Sequence, residues 1–92
     1  MQAPTKTQEQ RWARVLSYLM WMHASWKSPT VREIGSYMGW SSTSTTFRHL
    51  TAMLEHNLIA HIPGSPRTYR VTDKGLELLN KNGGIKIDTK TS

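Results

Sequence analysis

Apolar positions recur with a helical period from the first tryptophan onward. Trp12, Val15, Leu16, Leu19, Met22, His23 and Trp26 fall on one side of a segment that opens at Thr7, where Thr7 and Gln10 have capping-box spacing. This predicts a scaffold helix with that stripe inward, ending near Trp26, where Lys27-Ser28-Pro29 breaks the pattern. A shorter pattern follows. Val31, Ile34 and Met38 share a face, Thr30 and Glu33 have the Thr-x-x-Glu spacing of a capping box, and Gly39 supplies the backbone freedom to stop the helix. After Gly39-Trp40, a third helix is expected with Ser41 as its cap and Thr46, Leu50, Met53, Leu54 and Asn57 recurring inward. The period then changes. Leu58 to Ile62 reads as a strand, Pro63-Gly64-Ser65-Pro66 as a turn and Thr68 to Val71 as the returning strand. Thr72 and Asp73 cap a last helix, Lys74 to Asn80, stopped by Gly83-Gly84.

Two short helices joined at a glycine turn, the second opening on Ser41, Ser42, Thr43, Ser44, Thr45 and Thr46, have the layout of a helix-turn-helix reader of DNA. The second helix would bury one side and offer Ser42, Ser44, Thr45, Arg48 and His49 on the other. Small hydroxyls fit against base edges or phosphates, and an Arg one turn later can fork onto guanine. A linker reading of the hydroxyl run fails because the apolar series continues straight through it. Arg48 is assigned to DNA, with base and phosphate both open. Helical spacing sets Phe47 on the border between the two faces, which leaves core packing and groove contact both open. Around the amino end of the preceding helix, Thr30, Arg32, Lys27 and Ser28 are candidates for phosphate contact. In the hairpin, Arg67 and Ser65, with His61 behind them, are candidates for backbone or minor-groove contact.

The run Pro29-Thr30-Val31-Arg32-Glu33-Ile34-Gly35, followed by Gly39-Trp40-Ser41-Ser42-Thr43-Ser44-Thr45 and Arg48-His49-Leu50, resembles the amino-terminal DNA-binding domain of LexA-type repressors. Thr7-Gln8-Glu9-Gln10-Arg11 is similar to the start of that family's first helix, and Leu58-Ile59 through Pro63-Gly64-Ser65-Pro66-Arg67 to its wing. The similarity extends from Thr7 to Val71. It implies a mainly α fold with a small β-hairpin: a winged helix-turn-helix with a three-helix core, a two-stranded wing and a short carboxy-terminal helix. It also implies a sequence-specific regulator of transcription, a repressor acting by operator occupancy. Three features depart from the family pattern. No counterpart of its self-cleaving peptidase domain is expected, Tyr69 to Leu79 looks like the strand-then-helix ending of MarR-type regulators, and Phe47 stands where the pattern usually carries a polar groove-facing residue.

Length and composition narrow the rest. A chain of 92 residues is expected to form one domain over residues 7–82, between a flexible arm (1–6) and a flexible tail (83–92). The formal charge of +6 favours a polyanionic partner, although the basic residues are spread along the whole chain. Without cysteine there is no disulfide, thiolate zinc site or thiol redox sensor. The longest apolar patch, Leu16 to Met22, is interrupted by Ser17 and too short to span a bilayer, so a cytoplasmic protein with no membrane partner is expected. His23, His49, His56 and His61 lack the spacing and carboxylate partners of a metal shell, and no serine has a general base placed beside it. No metal, cofactor, small-molecule substrate or enzymatic activity is expected.

A lone reader binds weakly, so two copies on a palindromic site, or a partner protein, are expected to supply the second foothold. Trp21 projects opposite the inward stripe, among Ala13, Arg14, Ser17, Ala24 and Ser25. With Tyr18, Ser17, Leu78 and Leu79 it is the candidate self-association surface. The alternative function is a winged-helix interaction module that docks a polymerase, a replication factor or another repressor.

Overall fold

The computed structural model describes residues 5–61 and 69–83. Along them run α1 (Lys6–Ala24), α2 (Val31–Met38), α3 (Thr43–Glu55), β1 (Ile59–Ala60), β2 (Arg70–Val71) and α4 (Asp73–Lys81). The strands pair antiparallel, Ile59 with Val71 and Ala60 with Arg70. This is the expected winged helix-turn-helix. The hairpin turn, with Ser65 and Arg67, lies outside the described residues, as do residues 1–4 and 84–92.

The helix starts are set by side-chain caps, and two of them sit away from the expected positions. Thr5, not Thr7, caps α1 by accepting from Gln8 N at 3.1 Å, so the helix begins inside the expected arm. Ser42, not Ser41, caps α3 by accepting from Thr45 N at 3.2 Å. The Thr30–Glu33 box forms as read: Thr30 Oγ1 accepts from Glu33 N, and Glu33 Oε1 accepts from Thr30 N at 2.8 Å. Thr72 caps α4 and also donates its hydroxyl to Asn57 O at 2.6 Å, tying the end of α3 to the start of α4.

Helices α1, α2 and α3 end in one motif, a left-handed residue whose N–H and that of its successor return to the last turn. At α2, Gly39 has φ 80° and Trp40 N reaches Gly35 O at 2.9 Å. At α3, Asn57 has φ 61° and Leu58 N reaches Met53 O at 2.9 Å, so Leu58 closes the helix and β1 starts after it. At α1, Trp26 takes φ 61° and Lys27 N reaches Met22 O at 2.8 Å. The stop therefore precedes Lys27-Ser28-Pro29. Trp26, expected on the inward stripe, is turned out of the helix and 96% exposed.

Helix α1 is the centre of the domain, packed against α2, α4 and β2. Its buried surface is wide: Trp12, Val15, Leu16 and Leu19 form the main inward face, with Ala13 and Ser17 buried on one flank of it and Tyr18 on the other. Because both flanks are covered, Ala13 and Ser17 of the small-residue strip expected to be free are inside, while Arg14, Ala24 and Ser25 are exposed. Ser17, Tyr18 and Leu79 are core residues, so the expected self-association surface reduces to half-exposed Trp21 and half-buried Leu78. Tyr18 stacks on Tyr37 of α2 with ring centroids 4.2 Å apart, and Arg14 lies over the same Tyr37 ring. Burial, then the Glu33 carboxylate and Tyr37, pushes the Tyr18 phenol upward, which keeps it neutral.

Candidate nucleic-acid interface

The second half of the helix-turn-helix is held from beneath. Thr46, Leu50 and Met53 recur on one side of α3 and are buried against the core with Ile34 of α2. The two helices approach closely because residue 35 is glycine, and a β-carbon there would run into the Thr46 hydroxyl. At the turn, Trp40 lies flat on His49, with ring centroids 4.3 Å apart and planes 6° from parallel, bracing the linker against α3.

What remains outward follows from the period. With Thr46, Leu50 and Met53 inward, Ser44, Arg48, Thr51 and Glu55 occupy the opposite line of α3, and Phe47 flanks it. All five are exposed, Phe47 at 58%. The placement of Phe47 that the spacing left open is therefore the outer one. Arg48 forms no hydrogen bond or ion pair among the described residues, so the guanidinium keeps its full set of donors.

The other candidates divide. Ser41, Ser42 and Ser44 are exposed at the head of α3 and, with Arg32, Ser36 and Trp40, rim a polar cleft between α2 and α3. Thr45 is half-buried with its hydroxyl 3.4 Å from that of Ser42, so it belongs to the cap and not to the Arg48 line. His49 is half-buried in the Trp40 stack instead of offered to a groove. Burial, then the charges of Arg11 and Arg48, holds its pKa below the ordinary value. Thr30 serves the cap, whereas Arg32, Lys27 and Ser28 are exposed around the amino end of α2. His61 stacks on Tyr69 at 4.3 Å. Ser65 and Arg67 lie outside the described residues.

Thr43, within the hydroxyl run, is exposed on the first turn of α3. Two residues near this surface were not singled out from the sequence: Thr51 lies on the outer line of α3 one turn beyond Phe47, where the helical period alone identifies it. Arg11 of α1 lies near enough to His49 for its charge to help depress the imidazole, a proximity between residues far apart in sequence that only the folded chain creates.

The remaining histidines serve packing. His23 Nε2 lies 3.0 Å from Tyr69 O, which requires the proton on that nitrogen, and His56 packs on Trp12 at 5.3 Å. Among the described residues, no three His, Asp or Glu side chains gather where a metal could bind, and no helix is long and apolar enough to cross a membrane.

Residues 5–68 match the family described as the LexA DNA binding domain. The chain is 37% identical over 86 residues to a LexA repressor of Lacticaseibacillus casei, covering 91% of this chain and 41% of that protein. It is 41% identical over 77 residues to one from Pediococcus pentosaceus, covering 79% of this chain and 37% of the relative. With one from Oenococcus oeni it shares 47% over 51 residues, 55% of this chain and 24% of the relative. The chain thus spans well under half the length of these relatives.

Proposed function

The chain belongs to the LexA DNA binding domain family, and from that premise we propose that it is a sequence-specific binder of double-stranded DNA that represses transcription by occupying an operator. The observation that carries this reading is the exposed surface of α3, Ser44, Arg48 and Thr51 flanked by Phe47, with Glu55 at its far end, on a helix locked from behind by Thr46, Leu50 and Met53. In the proposed complex α3 lies in the major groove. Arg48 forks onto a guanine edge, Ser42, Thr43 and Ser44 meet base edges or phosphates at the head of the helix, and Arg32, Lys27 and Ser28 follow the adjacent backbone. Arg67 and Ser65 of the wing complete the contact. The action is occupancy, with no cofactor and no chemistry, and two copies on a palindromic site or a partner protein raise the affinity.

Equilibrium binding to duplexes retained from a random pool tests the proposal. Affinity should fall linearly with the logarithm of salt concentration, with a slope of about −0.9 for each phosphate neutralised. Arg48→Ala should relax preference at one base pair at a cost of about 1–3 kcal/mol, and Arg32→Ala should weaken all sequences alike while flattening the salt slope by about 1. Salt-insensitive retention that neither substitution changes would instead indicate a winged-helix module for protein partners.

A further inference from the structure

Phe47 is the one large apolar side chain that α3 exposes; the other exposed large apolar residues described, Trp21 and Trp26, lie on or just past α1. Its ring makes no aromatic contact among the described residues and lies beside Arg48, between exposed Ser44 one turn before and exposed Thr51 one turn after. A ring left 58% exposed keeps most of its apolar surface in water. It is covered only when α3 is.

We infer that Phe47 is a specificity-determining residue that reads the 5-methyl group of a pyrimidine, an inference that rests on the DNA-binding reading of α3. In the major groove the base edges present hydrogen-bond donors and acceptors, and the C5 methyl of thymine is the one apolar group among them. An exposed ring brought into that groove is desolvated whatever it meets. Against a polar edge it strips water from groups to which it offers no hydrogen bond, whereas against a methyl group both surfaces leave water favourably. Arg48 and Phe47 thereby ask for different things of the same stretch of groove, a guanine edge and a methyl group. Thymine and 5-methylcytosine carry the methyl at the same ring position, so both satisfy Phe47 and differ only in their neighbouring donor or acceptor.

The test uses the whole chain and duplexes retained from a random pool, resynthesised with deoxyuridine replacing thymidine one position at a time. At one position in each half-site, uracil should weaken wild-type binding about four-fold, the effect of uncovering one buried methyl-sized group. At that position 5-methylcytosine should bind more tightly than cytosine by a similar factor. Phe47→Ala should bind thymine and uracil duplexes equally, and also cytosine and 5-methylcytosine duplexes. Indifference of the wild type to uracil at every position overturns the inference, as does a uracil penalty that survives in Phe47→Ala. If no duplex is retained at any salt concentration, the DNA-binding reading fails with it, whereas retention without methyl dependence overturns the role of Phe47 alone.

Discussion

Gly35 of α2 lies against Thr46 of α3, and a β-carbon added at residue 35 would overlap the Thr46 hydroxyl while staying 3.5 Å from Thr46 Cβ. The close approach of the two helices at this point therefore depends on one missing methyl beside one oxygen. Thr46 is buried and its hydroxyl lies 3.4 Å from Ser42 O, so the oxygen cannot swing clear without leaving the capping turn of α3.

Gly35→Ala puts two effects in opposition. Alanine is the better helix former by about 1 kcal/mol, but overpacking a close helix contact costs about 1–3 kcal/mol. A net loss of stability is expected, with weaker DNA binding as α3 is pushed outward. Thr46→Ala removes the obstructing oxygen, so the double variant should be more stable than the two single losses predict. Urea denaturation of all four proteins measures this coupling, and additive losses would show that the two residues do not meet.

The capping box on α2 makes a separate prediction. This helix is only eight residues long, so its first turn is a large part of it. Thr30→Ala should cost about 1 kcal/mol in urea denaturation, because Glu33 N loses its acceptor. Glu33→Gln keeps an oxygen for Thr30 N and should cost less than Glu33→Ala, a difference that vanishes if Glu33 acts only through its charge.

At the end of α1, a tryptophan occupies a conformation that suits glycine. Gly39 and Asn57 fill the equivalent left-handed positions after α2 and α3, whereas Trp26 pairs φ 61° with an almost wholly exposed ring. Trp26→Gly should relieve backbone strain of about 1–3 kcal/mol, against up to about 1 kcal/mol of extra unfolded-state entropy, with little packing lost. A rise in the urea midpoint is expected, and a fall would mean that the indole makes a stabilising contact.

What the chain discloses in advance is mostly what is local. The Thr30–Glu33 box, the Gly39 stop and the buried series Thr46, Leu50, Met53 depend on residues within a few positions of one another, and the sequence shows them directly. Cap positions slip where several hydroxyls compete: Thr5 and Thr7 before α1, Ser41 and Ser42 before α3. The larger errors concern α1, whose burial is set by elements far along the chain. One apolar stripe predicts one buried side, but both flanks of that stripe are covered as well, taking Ser17 into the core on one and Tyr18, stacked on Tyr37 of α2, on the other. Trp26 misleads because apolar character and spacing outweigh a local stop signal that normally reads as glycine. Phe47 and His49 flank the face of α3 on opposite sides, and only the packed turn shows that Trp40 covers His49 and leaves Phe47 bare.

The Trp40–His49 stack links proton binding to the stability of the motif. Burial is the main cause that holds the imidazole below its ordinary value, with Arg11 and Arg48 adding repulsion to the charged form. A histidine depressed in the folded state binds fewer protons there than in the unfolded chain. Stability from this residue is therefore complete above its ordinary value of 6.5 and declines as pH falls from there through the lowered folded value. His49→Gln loses the ring stack at every pH but cannot titrate, so its deficit relative to wild type should shrink between about pH 7 and pH 5. Urea denaturation of both proteins across that range isolates the effect, because His23, His56 and His61 are common to the two. A deficit that stays constant with pH would show that protonation leaves the stack undisturbed.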